Sequence, residues 1–204
     1  MQIEREKKYR IDNFDCAVLE RLGIEPLHLK QYYLKLNNYV KGVINYYHGP
    51  EVEKIAKEVR VRVVKGLNAE KFFEFTVKGS GNIVRQESEV LIAEDVARDL
   101  INNYADSMVE KVRYKIQGLH VVEINKFLDR NLVLAEVEYD GDAYTEDDID
   151  EEVCLVVSKF VPNANIVDVT YDSKYKNKNL AIPVKKSDYK NCSEDMKANE
   201  EVFK

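Results

Sequence analysis

QIEREKKYRI, residues 2–11, alternates on a period of two and reads as a β-strand. Side chains at i and i+2 of a strand share a face, so Glu4, Glu6 and Lys8 point the same way. Working outward, the pattern recurs. Arg60 and Arg62 share a face opposite Val59, Val61 and Val63, and Arg85, Glu87 and Glu89 form another. Lys111, Arg113 and Lys115 alternate with Val112, Tyr114 and Ile116, while Glu136 and Glu138 alternate with Ala135, Val137 and Tyr139. Lys78 ends a strand whose other face carries Phe73, Phe75 and Val77. Almost every strand has one charged face, and the charges are of both signs.

Strands are predicted over residues 2–11, 29–36, 58–64, 71–78, 83–92, 111–117, 120–127 and 132–139. Gly79-Ser80-Gly81-Asn82 and Gln117-Gly118-Leu119 fit hairpin turns. Helical spacing is found over 14–22 with Asn13 as N-cap, over 93–103 and over 146–160. Residues 45–57 read as an insertion, either a mobile loop or a short helix. The fold class is α+β, mainly antiparallel β, and eight strands suffice to close a small barrel. Residues 1–184 form one domain, and 185–204 a charged, flexible tail.

Charged residues make up 33% of the 204, above the roughly 25% usual for globular chains, so the excess needs a place. The net charge of −6 argues against a generally basic nucleic-acid surface, though not against a local basic cleft. Cys16, Cys154 and Cys192 are far apart and odd in number, which suggests reduced thiols in a cytoplasmic protein. No apolar run reaches the roughly 18 residues of a membrane span. His28, His48 and His120 are scattered and suggest no histidine metal site.

Two arrangements give such strands. One is a sheet with a solvated outer face, the common antiparallel case. The other is a barrel closed with its charged face inward. Arg60, Arg62, Arg85 and Arg113 favour the second, because a merely soluble face could use lysine equally well and arginine's planar fork is the better phosphate ligand. The i, i+2 carboxylate pairs Glu4/Glu6, Glu87/Glu89 and Glu136/Glu138 also favour it, since they repel unless a cation or facing arginines offset them. Buried charges of this kind cost several kcal/mol each, so they persist for function. Arginines and lysines would hold phosphates, and carboxylate clusters would hold Mg²⁺ or Mn²⁺.

The same residues carry a resemblance. Glu4-x-Glu6-x-Lys8 resembles the ExExK signature of the CYTH, or triphosphate tunnel metalloenzyme, superfamily. It continues in order through EVRVR (58–62), TVKGSG (76–81), RQESE (85–89), EKVRY (110–114), EINKF (123–127), LAEVE (134–138) and DVTYDSKYKNKNLA (168–181). The wording is most similar to bacterial-type inorganic triphosphatases. The resemblance implies an eight-stranded tunnel with a charged interior and flanking helices, binding a small-molecule triphosphate with Mg²⁺ or Mn²⁺. By position, it implies metal binding by Glu4, Glu6, Glu87, Glu89, Asn125, Glu136, Glu138 and Asp168. It implies a triphosphate cradle of Lys8, Arg60, Arg62, Lys78, Arg85, Lys111, Arg113, Lys174 and Lys176. Lys8, Glu4 and Glu6 would act at the reacting centre. The sequence departs from the family at Asn125, where Asp is common, and at Asp168, where the late EVT block has Glu.

The implied activity is hydrolysis of the terminal phosphoanhydride of inorganic tripolyphosphate or a nucleoside triphosphate. Two alternatives stand beside it: a nucleotidyl cyclase on the same fold, and a non-enzymatic triphosphate- or polyphosphate-binding module. Cyclases of this superfamily tend to carry a His-Phe pair shortly before ExExK, and Glu4 leaves no room for one. No basic–aromatic stripe marks an RNA track, as a capping triphosphatase would need. The expected state is a monomer or homodimer without nucleic-acid or membrane partners, and mouth loops such as 45–57 would choose what hangs off the triphosphate.

Overall fold

The computed structural model describes residues 2–66, 70–81 and 84–185. The chain runs β1 (Gln2–Asp12), α1 (Ala17–Arg21), β2 (Leu27–Leu34), α2 (Asn38–His48), α3 (Pro50–Ile55), β3 (Glu58–Lys65), β4 (Lys71–Lys78) and β5 (Val84–Ile92). It continues through α4 (Glu94–Tyr104), β6 (Ala105–Gln117), β7 (Val121–Phe127), β8 (Val133–Glu138), α5 (Glu146–Ser158), β9 (Asn165–Asp168), α6 (Asn177–Leu180) and β10 (Ile182–Pro183). Neighbouring strands pair antiparallel in the order β6-β2-β3-β4-β5-β1-β8-β7, and β7 pairs back onto β6. The path closes an eight-stranded barrel.

The barrel is inside out relative to an ordinary core. Its apolar faces look outward and are covered by helices in two clusters. Against one wall, α5 packs Ile149, Val153, Val156 and Val157 over Tyr9, Ile11, Tyr114, Ile124 and Val137. Against the other, α2, α3 and α4 pack Val40, Ile44, Val52, Leu100 and Ile101 over Val59, Val61, Phe75 and Val77. Each fully buried aliphatic side chain here contributes about 1.5–3 kcal/mol. The caps set where these helices begin. Asn37 accepts from the Val40 amide at 2.9 Å, and Thr145 and Asp148 form a reciprocal capping box.

Three expectations change. Asn13 is not an N-cap: its φ of 59° is left-handed, the residue turns the chain out of β1, and the helix starts at Ala17. Of the two readings of residues 45–57, a mobile loop or a short helix, the helix holds, but it covers the outer wall and does not form a loop at the mouth. Most of these residues belong to α2 and α3, and Ile44 of α2, Val52 of α3 and the following Ala56 cover the outer wall. The predicted strand starting at 111 begins at Ala105, because β6 also pairs with β2 beyond residue 111. Asn82 and Ile83 of the expected hairpin, and the tail from residue 186, lie outside the described residues.

The two ends differ. At one end Tyr33, Val109, Phe127 and Leu134 point into the lumen and pack with Val169, Tyr175, Leu180 and Ala181 of the C-terminal segment. That segment is tied down by a hydrogen bond from Arg10 to the Tyr175 hydroxyl at 3.0 Å and one from Arg130 to the Leu180 carbonyl at 2.7 Å. An apolar plug therefore narrows this end, and the other end is open. No described helix is long and apolar enough to cross a membrane.

Candidate active site

Strand parity places the charged residues. Glu6 pairs with Glu138 and Lys8 with Glu136 across β1–β8, and Glu4 pairs with Arg85 across β1–β5. Arg62 stands opposite Glu74, Lys78 opposite Glu87, and Arg113 opposite Asn125. All of these face the lumen, which holds two overlapping cavities of about 480 and about 960 Å³. They share Glu4, Arg60, Arg62, Arg113, Glu123 and Glu138. A smaller space of about 40 Å³ beside the plug is lined by Glu6, Lys8, Arg60, Arg85, Lys176 and Asn177.

Inside, acids and bases interleave. Both Glu4 carboxylate oxygens accept from Lys78 Nζ at 2.9 Å, and Arg85 Nε donates to the same carboxylate at 2.7 Å. Lys78 also meets Glu87 at 2.6 Å. Glu136 is a hub: Lys8 Nζ lies at 2.8 Å, Arg113 at 3.0 Å, Lys111 at 3.5 Å, and the side-chain amides of Asn125 and Asn177 donate at 2.9 and 3.2 Å. Burial would raise the Glu136 carboxyl, but Lys111, Lys8 and Arg113 outweigh it and hold the group well below the usual range. Burial likewise opposes the charge of Lys8, yet Glu136 and Glu6 raise its pKa, so Lys8 is a firm cation. Lys111 is fully buried, and burial, reinforced by Arg113 and Lys8, brings it down to about 7.

Two features remain incompletely satisfied. Arg60 and Arg62 are neighbours on one face of β3; their terminal nitrogens meet Glu87 at 3.6 Å and Glu74 at 2.6 Å, but the Nε groups of both are buried without a hydrogen-bond partner. Burial and the proximity of Arg60 and Arg113 lower the pKa of Arg62. Glu138 is the converse. Although Glu138 keeps contact with solvent, desolvation within the lumen and the nearby Glu4, Glu6, Glu123 and Glu87 push it up to about 7. An anion suits the first site and a cation the second.

Of the expected cradle, Lys8, Arg60, Arg62, Lys78, Arg85, Lys111 and Arg113 converge in the barrel, and Lys176 lines the small space beside the plug. Lys174 does not join them: it is mostly exposed and pairs with Asp172 at 2.8 Å. Of the expected metal ligands, Glu4, Glu6, Glu87, Glu89, Glu136 and Glu138 face the lumen. Asp168 does not. It pairs with outward-facing Tyr9 and forms an ion pair with Lys7 at 3.1 Å beneath α5. Asn125 is inside, but its carbonyl accepts from Arg113 Nε at 2.8 Å and its amide serves Glu136, so it joins the hub to the cradle.

Sequence reasoning missed Glu123, which is paired with Arg113, and Glu74, which meets Arg62 at 2.6 Å. Glu123 was findable by counting two residues back along the strand from Asn125, and Glu74 by counting four back from Lys78 on the same face. Asn177 carried no such signal, because it arrives from the C-terminal segment.

Among the described residues, no group of three or more acidic, histidine or cysteine side chains already converges as a metal site, since most tunnel carboxylates are turned to lysine or arginine. The donor set nevertheless fits a divalent ion. Glu138 stands amid carboxylates with its proton affinity raised, and all the available ligands are the hard oxygens that Mg²⁺ and Mn²⁺ prefer.

No family model matches the chain, and no curated protein sequence matches it. Solved structures do. The inorganic triphosphatase NE1496 is 22% identical, with 90% of this chain and 97% of that one covered and a TM-score of 0.46. The PH1819 protein from Pyrococcus horikoshii OT3 is 15% identical, covering 78% and 90% with a TM-score of 0.49. HpAC1 from Hippeastrum, described as having a dominant triphosphatase activity, is 12% identical, covering 78% and 87% with a TM-score of 0.44.

Proposed function

We propose that this chain is a triphosphate tunnel enzyme that hydrolyses the terminal phosphoanhydride of tripolyphosphate or a nucleoside triphosphate with the help of a divalent metal. The observation that carries the reading is the pair of adjacent guanidiniums, Arg60 and Arg62, which line both cavities of a closed barrel and keep buried Nε donors without a partner. A polyanion satisfies such donors and can take over from the carboxylates that now pair with them, which a neutral ligand cannot do.

On arrival, phosphate oxygens take over from the carboxylates that now occupy the cations. Arg60, Arg62, Arg85, Lys78 and Arg113 grip non-bridging oxygens and draw charge from the terminal phosphorus, leaving one side open to in-line attack by water. Lys8 stays protonated, so it orients the phosphate or the water by donating hydrogen bonds and does not remove a proton. An incoming phosphate restores charge to Lys111 and draws it into the cradle. Glu138, with Glu4 and Glu6, would hold the metal, which supplies charge neutralisation and a more acidic bound water.

The test is phosphate release from tripolyphosphate, ATP and thiamine triphosphate with Mg²⁺ or Mn²⁺, products being resolved by chromatography and Glu4→Gln serving as control. Metal-dependent phosphate release that is lost in Glu4→Gln supports the proposal. A cyclic nucleotide with pyrophosphate would replace it by a cyclase, and tight triphosphate binding without turnover by a binding module.

A further inference from the structure

The open end of the tunnel carries a side chain that the hydrolytic scheme does not use. His120 sits on the β6–β7 hairpin and lines both large cavities. It is held from behind: Glu152 of α5 accepts from the His120 backbone amide at 2.7 Å and from its ring Nδ1 at 2.6 Å. Both side chains are nearly buried, and Tyr144 closes edge-on against the imidazole at 4.5 Å. A carboxylate on Nδ1 fixes the tautomer and ring orientation and leaves Nε2 for another partner. The seat is close-fitting, because a Cβ on Gly118 would stand 2.6 Å from Glu152 Oε1. Beside the ring, Leu119 is 70% exposed and Val121 38% exposed, and both line the 480 Å³ cavity.

The charge around this mouth differs from that deeper in. Arg60, Arg62, Arg113 and Lys115 line both cavities, and among the residues that line only the larger one Glu74, Glu87, Glu89, Asp140 and Asp142 are acidic against the one basic Arg5. Such a rim repels a phosphate chain that extends past the cradle. An imidazole nitrogen, an apolar shelf and an acidic surround together suit a flat, neutral or cationic group with hydrogen-bonding nitrogens.

We infer that His120, positioned by Glu152, reads the outer end of the substrate, and that this end is a nitrogen heterocycle and not a further phosphate. The inference rests on the triphosphate reading of the tunnel. It makes His120 a specificity residue and Glu152 a positioning residue that acts through it.

The test compares kcat/KM for ATP, tripolyphosphate and tetrapolyphosphate in the wild type, His120→Ala, His120→Gln and Glu152→Gln, with thermal unfolding to confirm that each variant folds. The wild type should favour ATP over tetrapolyphosphate. In His120→Ala the ratio of kcat/KM for ATP to that for tripolyphosphate should fall about tenfold, chiefly through KM for ATP, as loss of one well-placed polar contact predicts. Glu152→Gln should lower the ratio less, and His120→Gln should restore part of it. Equal losses on ATP and tripolyphosphate, or an unchanged ratio, would overturn the inference. Should the wild type hydrolyse none of the three, the hydrolytic reading fails by itself. Calorimetry with adenosine 5′-(β,γ-imido)triphosphate then decides: binding weakened about tenfold in His120→Ala retains the role of His120, and unchanged binding removes it.

Discussion

Glu136→Gln tests whether the tunnel interior is a charge lattice that an anion completes. Glu136 is 5% exposed and has Lys8 at 2.8 Å, Arg113 at 3.0 Å and Lys111 at 3.5 Å. Neutralising it leaves Lys8 and Arg113 facing each other beside Lys111, whose charge burial already disfavours. Breaking a buried pair costs about 3–5 kcal/mol, and we take about 3, because Glu6 still reaches Lys8 at 3.4 Å and Glu123 still pairs with Arg113. At about 2–4 °C per kcal/mol for a domain of this size, Tm should fall by about 6–12 °C. Tripolyphosphate should then stabilise the variant more than the wild type, since it supplies the negative charge that was removed. The assay is thermal unfolding at low ionic strength, with and without tripolyphosphate and without metal. A fall in Tm under about 2 °C, or an anion-induced rise no larger than that of the wild type, would refute the reasoning.

Two further outcomes follow from the shifted groups. With its pKa raised to about 7, Glu138 holds a proton in the folded state that it loses when unfolded; its contribution to stability is therefore full at low pH and lost as pH rises through about 7. Mn²⁺ should accordingly raise Tm more at pH 8 than at pH 5.5, and Glu138→Gln should raise the metal-free Tm at pH 8 while flattening that difference. Burial lowers the pKa of His48, whose Nε2 has no hydrogen-bond partner, so its contribution is present above about 6.5 and lost as pH falls. The Tm of His48→Leu should drop less than that of the wild type between pH 7 and pH 5, and an equal drop would remove His48 as a source of acid lability.

The strands were legible because a period of two survives in nearly every one, and the paired carboxylates on β1 and β8 marked residues that the barrel does bring together. Which way the charged faces turn was not legible from periodicity. A solvated outer face and a lined lumen produce the same alternation, and only burial separates them, as at Lys78 with 2% exposure and Lys111 with 0%. Asp168 was misplaced for a related reason. Its face depends on β9 joining β1 in register with Tyr9, a long-range pairing that no local pattern encodes. The α2–α3 insertion was half legible. Val40 and Ile44 have helical spacing, but the need for that helix arises from an apolar outer wall that becomes visible only once the barrel is closed.

The topology also bears on how the chain reaches this state. β1 is the first strand made, and its partner β8 arrives roughly 130 residues later, a separation that favours slow folding. Until then β1 has one edge unpaired, with Tyr9 and Ile11 still uncovered by α5. During synthesis its alternate lysines and glutamates keep that edge from recruiting a neighbouring chain. The residues proposed to meet phosphate and metal in the finished tunnel are thus of the kind that blunts an unpaired strand edge.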